Sequence, residues 1–132
     1  MILLGVAYFV IGIVFATLAN PVVSDQVRVI WRLAAWVASA AVYAAHIGYE
    51  HFRLGNSTRA TALHAATAVA LGAFLLAVAA TVHKVMVPAN TPYWRFLLAL
   101  VVWPLITALP AFLVALAVAA VLARLPTKRL AR

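Results

Sequence analysis

Four long runs of apolar residues, separated by short polar segments, dominate the hydropathy pattern of the chain. The runs cover approximately residues 1–19, 26–52, 58–83 and 92–125. A helix of about 20 apolar residues crosses the hydrocarbon core of a bilayer. The pattern therefore predicts an all-α integral membrane protein with four transmembrane helices. They should form an antiparallel up-down bundle with short loops, a single domain over residues 1–132 and no soluble domain.

The segments between the runs contain residues that end or begin helices. Pro21 cannot continue the first helix. Ser24 and Asp25 are candidate N-caps for the second helix, and Gly55 is a natural C-terminal stop. Pro92 suits the first turn of the fourth helix. The turn residues thus support the helix boundaries that the apolar runs indicate.

Small residues recur at four-residue spacing on three of the predicted helices. They are Gly12 and Ala16 on the first, Ala62, Ala66 and Ala70 on the third, and Ala111, Ala115, Ala119 and Ala123 on the fourth. Such faces let helix backbones approach closely in a membrane. We therefore expect the third and fourth helices to pack through their alanine faces.

The composition agrees with a membrane protein and narrows the possible chemistry. Hydrophobic residues make up 68% of the chain and charged residues 9%, whereas soluble domains are about 45–50% apolar and about 25% charged. The chain has no cysteine, which excludes disulfides, thiolate catalysis and iron–sulfur clusters. Its two acids, Asp25 and Glu50, lie near opposite ends of one predicted helix, so paired-carboxylate catalysis within one subunit is excluded. We do not expect an enzyme.

The net charge of +8 comes from basic residues near helix ends and in the C-terminal tail. One side carries Arg53, Arg59, Arg124, Lys128, Arg129 and Arg132, and the other carries Arg28, Arg32, Lys84 and Arg95. The excess predicts an inner-membrane-type (plasma membrane) protein with both termini in the cytoplasm, where the first group contacts lipid headgroups. No basic recognition motif indicates a nucleic-acid partner.

A polar stripe follows one face of the second predicted helix. It consists of Arg32, Trp36, Ser39, Tyr43, His46, Glu50 and Arg53, at alternating steps of four and three residues. Because ionisable groups are expensive in lipid, this face should look into the bundle or towards another subunit.

The third helix provides partners for this stripe if the turn is centred on Gly55. The paired residues are then His46 with His64, Tyr43 with Thr67, and Glu50 with Arg59. We expect the two histidines, Glu50, Tyr43, Ser39 and Thr67 to form one polar cluster that titrates as a unit.

Three functions fit such a cluster. The chain could be a permeation or binding component, or an accessory subunit of a membrane assembly, working as a homo-oligomer or within a larger complex. It could instead be a redox subunit that holds haem b or a transition metal through His46 and His64. The third alternative is a purely structural packing subunit.

Overall fold

A computed structural model describes residues 1–86 and 92–124. It contains four helices: α1 (Ile2–Leu18), α2 (Asp25–Phe52), α3 (Thr58–Met86) and α4 (Tyr93–Arg124). All regular secondary structure in this part of the chain is helical. The predicted helical class and the number of helices are therefore confirmed.

Short polar residues set the ends of α2. The Ser24 side chain is the N-cap, and its Oγ accepts a hydrogen bond from the Val27 amide at 3.4 Å. Asp25 lies in the first turn, where its carboxylate pairs with Arg28 at 3.0 Å. After α2, Gly55 adopts a left-handed conformation with a φ of 63°, which glycine accepts without a steric penalty. This turn returns the chain towards α3.

The helices α2 and α3 each contact the three other helices, and the contact of α3 with α4 is the most extensive in the bundle, followed by that of α3 with α1. Within the described residues no Cα atom of α1 lies within 8 Å of a Cα atom of α4. Gly5 and Gly12 of α1 face Leu71 and Leu76, so α1 and α3 run in the same direction. Ala65 shares a buried cluster with Ala115, whereas Lys84 lies over the ring of Phe96. The helices α3 and α4 are therefore antiparallel.

The core of this bundle consists almost entirely of alanine. Ala62, Ala65, Ala68, Ala115 and Ala119 are each 0% exposed, and the largest buried apolar side chain is Ile47. Small side chains allow short interhelical distances and continuous dispersion contacts. The expected alanine packing of α3 against α4 is confirmed for Ala62 and Ala115, which share a buried cluster. Ala66 and Ala119 are buried, whereas Ala123 is exposed.

Large apolar side chains lie mainly on the outer surface, including Leu105, Leu109 and Leu113 of α4. Three of the helices, α2, α3 and α4, are long and apolar enough to cross a membrane. The apolar helix α1 has 17 residues, which corresponds to about 26 Å at the usual rise of a helix. The sequence predicted four membrane spans; length and composition support three, and the span by α1 stays a prediction.

Candidate functional site: a buried carboxylate between two histidines

Glu50 lies in the last turns of α2 and is buried against the rest of the bundle, with only 6% of its surface exposed. An ionisable side chain at such a position is costly unless other groups satisfy it. The chain has two acidic residues, and the other one, Asp25, is exposed at the opposite end of α2. Glu50 is therefore the buried acidic side chain whose partners define a candidate site.

Three side chains bind the Glu50 carboxylate. Nε2 of His46 is 3.4 Å from Oε1. Nδ1 of His64 is 3.0 Å from Oε2 and 3.2 Å from Oε1. The side-chain amide of Asn56 donates a hydrogen bond to Oε2. We call these four residues the carboxylate cluster.

The local structure explains why these groups meet. His46 and Glu50 are four residues apart and share a face of α2. Gly55 has a left-handed conformation and reverses the chain. The backbone N–H of Asn56 therefore also donates a hydrogen bond to the backbone carbonyl of Glu50, at 3.2 Å. His64 lies about two turns into α3 and faces α2 at the depth of the carboxylate. The cluster therefore joins the end of α2, the turn and the start of α3.

The two histidines differ in their access to the surface. The side chain of His46 is 2% exposed and that of Glu50 is 8% exposed, but the side chain of His64 is 34% exposed. Nδ1 of His46 is buried and has no hydrogen-bond partner among the described residues. The cluster therefore has an outer, partly exposed member, His64, and an inner, buried member, His46.

The hydrogen bonds also constrain the protonation states. An ionised carboxylate accepts hydrogen bonds only, so Nε2 of His46 and Nδ1 of His64 must both donate. We assign the tautomers from this network. His46 is then neutral, because a second proton would sit on its buried and unpartnered Nδ1. The outer ring of His64 can take a further proton at Nε2 and become a cation beside Glu50.

The structure departs from the expected pairing of α2 with α3. Glu50, not His46, is the direct partner of His64. Arg59, the expected partner of Glu50, is exposed. Helical side chains lean towards the N-terminus of their helix. Glu50 therefore reaches deeper than its Cα, and His64 reaches back towards the turn, which shifts the pairing by about one helical turn.

Tyr43 and Thr67 were expected to meet, and they do not. The Tyr43 hydroxyl donates a hydrogen bond to the Ala111 carbonyl and thereby ties α2 to α4. Thr67 is exposed, and its hydroxyl bonds to the Leu63 carbonyl of its own helix at 2.7 Å. The alanine-rich face of α4 leaves room for the tyrosine ring, so Tyr43 turns towards α4.

The remaining predicted residues lie away from the carboxylate cluster. Ser39 is half-buried on α2, more than one turn beyond Tyr43. Arg53, Arg59 and Arg124 are exposed near helix ends, and their contact with lipid headgroups stays a prediction. Lys128, Arg129 and Arg132 lie outside the described residues.

Sequence reasoning missed two polar residues. Asn56 is absent from the predicted polar cluster, although its side-chain amide, six residues after a buried acid, comes within reach once a glycine reverses the chain. Tyr8 lies on α1, with its Cβ against Gly72 and its hydroxyl buried without a partner in the described structure. Tyr8 was not predicted as a site residue because it lies within the long apolar run of the first helix.

The geometry bears on the proposed haem or metal site. Both imidazoles converge on one carboxylate, so a metal or haem iron held by His46 and His64 would have to displace Glu50. Among the described residues, no group of three or more histidine or acidic side chains is arranged to hold a metal ion. Ligation by this pair therefore requires a rearrangement of the cluster.

Comparisons with known protein families, with curated proteins and with solved structures gave no match to this chain. The chemistry and the placement of the carboxylate cluster are therefore the main guides to function.

Proposed function

We propose that this chain is a small integral membrane protein that acts as a proton-coupled permeation or binding component. The observation that carries the proposal is the buried Glu50 carboxylate, held between the ring nitrogens of an inner and an outer histidine. Histidine changes its charge near neutral pH, and an adjacent carboxylate allows the pair to share a proton. A buried site of this kind can bind a proton and release it.

The placement of the cluster suggests the side from which protons enter. In our proposal all four helices cross the membrane and both termini lie in the cytoplasm. The α2–α3 turn and the end of α4 then face the cytoplasm, since α3 and α4 are antiparallel. His64, the more exposed histidine, lies close to this turn. Protons would therefore enter from the cytoplasmic side.

The proposed step moves one proton between named atoms. A proton from water adds to Nε2 of His64 and makes an imidazolium beside the Glu50 carboxylate. Transfer of the Nδ1 proton to Glu50 then gives a neutral imidazole and a neutral carboxyl group. His46 donates to the same carboxylate from the inner side and orients it. The step conserves charge and needs no co-reactant.

Beyond the cluster, polar groups continue towards the middle of the bundle. Tyr43 lies about one turn from His46 on α2, and the Tyr8 hydroxyl of α1 is buried. Buried polar atoms without protein partners often bind internal water. Nδ1 of His46 and the Tyr8 hydroxyl are two such atoms in the described structure. They support a polar route that extends inwards from Glu50.

Proton flux into liposomes tests the proposal. The purified protein is reconstituted with a pH-sensitive dye inside the vesicles, and a potassium diffusion potential drives proton entry. We expect flux above that of protein-free vesicles, and its loss in Glu50→Gln and His64→Gln. The control is His83→Gln, which changes an exposed histidine in the last turn of α3. Wild-type vesicles that match protein-free vesicles would refute permeation.

A structural role is the second candidate, because a specific observation favours it. Glu50 binds groups from α2, from the turn and from α3, so the carboxylate cluster also fixes the geometry of this hairpin. If flux is present in the wild type and unchanged in a folded Glu50→Gln variant, the cluster serves helix packing and the proton site is wrong. The redox alternative has no comparable support.

Assembly with other chains is a further part of the proposal. The first half of α2 presents Ile30, Leu33 and Val37 on its surface, with exposed fractions between 59% and 69%. Lipid can cover this face, and so can a second helix. We propose that the protein works as a homo-oligomer or within a larger membrane complex, and a native mass measurement of the purified protein would identify the subunits.

A further inference from the structure

A groove between α1 and α2 lies at the end of the molecule opposite the carboxylate cluster. Its volume is about 380 Å³. Gly12, Ala16 and Ala35 line the groove, and their small size leaves its volume unfilled. The aromatic residues Phe15 and Trp36 also line the groove. The rings of Phe15 and Trp31, 6.0 Å apart, join the two helices here. The groove is mostly apolar and open at the surface of the bundle.

One cation lies in this apolar groove. Arg32 lines it and is exposed. It follows the first residue of α2 by seven positions, or about 10 Å along the helix axis. At that depth in a bilayer a guanidinium needs a partner, since burial of an unpaired charge in hydrocarbon is unfavourable. Its long side chain can reach towards the interface to meet one.

The chain does not supply a carboxylate side chain for Arg32. It contains two acidic residues. Asp25 pairs with Arg28 at 3.0 Å, and Glu50 binds the two histidines at the other end of α2. Among the described residues Arg32 itself takes part in no ion pair. A counter-charge for Arg32 must therefore come from outside this part of the chain.

We infer that the groove is a binding site for an anionic phospholipid of the surrounding bilayer. The Arg32 guanidinium matches the planar, two-point geometry by which arginine binds phosphate oxygens. The apolar remainder of the groove accepts the acyl chain, and Trp36 suits the interface between the chain and the headgroup. The inference rests on the proposed membrane embedding, and it is independent of the proton site.

Lipid retention measured by native mass spectrometry tests the inference. Detergent-purified protein is mixed with equal amounts of phosphatidylglycerol and phosphatidylcholine that carry the same acyl chains. We expect the wild type to retain phosphatidylglycerol preferentially. Arg32→Gln should reduce that preference by about tenfold, as expected when a charged hydrogen-bond donor is removed. The matched control is Arg95→Gln, at an exposed arginine in the first turn of α4.

A second variant tests the groove without changing its charge. Ala35→Leu fills part of the apolar volume and should lower retention of both lipids while Arg32 is intact. Equal retention of the two lipids by the wild type would overturn the inference. So would equal losses in Arg32→Gln and Arg95→Gln, because these would indicate unspecific charge attraction. Proton flux, measured on the same variants, should stay at the wild-type level, so the two proposals can fail separately.

Discussion

His64 and Glu50, which are 14 residues apart on two helices, meet with Nδ1 of the histidine 3.0 Å from Oε2 of the glutamate. The contact joins α2 to α3 close to the turn that connects them. It also places the more exposed of the two histidines on a carboxylate that lipid and water hardly reach.

Replacing Glu50 by glutamine should destabilise the bundle. The amide keeps the size of the side chain but lacks the charge, and it offers a single acceptor oxygen to three donors. Loss of buried, charge-assisted hydrogen bonds costs about 1–3 kcal/mol. Thermal unfolding in detergent measures the change.

The matched control for this variant is Asp25→Asn. Its carboxylate is 93% exposed and pairs with Arg28 at the surface, so we expect a change of less than about 1 kcal/mol. Equal effects of the two substitutions would show that burial of Glu50 adds nothing to stability.

Replacing Gly72 by alanine should disturb the contact between α1 and α3. A Cβ atom at this position would lie 2.6 Å from Cβ of Tyr8 and 3.1 Å from the backbone oxygen of Gly5. Backbone cannot yield as a flexible side chain does, so we expect destabilisation by about 1–3 kcal/mol. Gly48→Ala is the control, because nothing lies within 4 Å of its added Cβ.

In the control, alanine should leave stability unchanged or raise it by up to about 1 kcal/mol, since alanine favours helix more than glycine does. Melting temperatures in one detergent compare the two variants. A Gly72→Ala protein as stable as Gly48→Ala would contradict the close approach of α1 and α3.

Replacing Ala115 by leucine should destabilise the interface between α3 and α4. Ala115 is 0% exposed and belongs to the buried cluster with Ile47 and Ala65. A larger side chain there overpacks the core, which costs about 1–3 kcal/mol. Ala117→Leu, at an exposed position two residues away on α4, should leave the melting temperature close to the wild-type value. An unchanged melting temperature for Ala115→Leu would reject the packing.

The orientation in the membrane can be tested by cysteine labelling, because the native chain has no cysteine. Val22 in the α1–α2 connection is 92% exposed, and Leu54 in the α2–α3 turn is 53% exposed. With both termini cytoplasmic, an impermeant thiol reagent added to intact cells should label Val22→Cys and spare Leu54→Cys. The reverse pattern would invert the topology and would place His64 on the outer side.

Some features of the site could be predicted from the sequence and others could not. The four-residue step from His46 to Glu50 predicts a shared face, and the position of Gly55 predicts that α3 returns along α2. The partner of His64 depends on side-chain direction, which shifts the pairing from His46 to Glu50. The partner of Tyr43 depends on where α4 packs, and no local pattern in α2 contains that information.

The sequence alone determined the helical class, the number of helices and nearly all of their boundaries. Helix formation in a long apolar run, and its end at a glycine, proline or serine, depend on residues that are close together in the sequence. These features can therefore be predicted without knowledge of the tertiary contacts. The tertiary structure alone decided that α3 packs most extensively against α4, that His64 is a direct partner of Glu50 and that Asn56 and Tyr8 are part of the polar interior. These features depend on which helix faces contact each other, and those contacts join residues far apart in the chain.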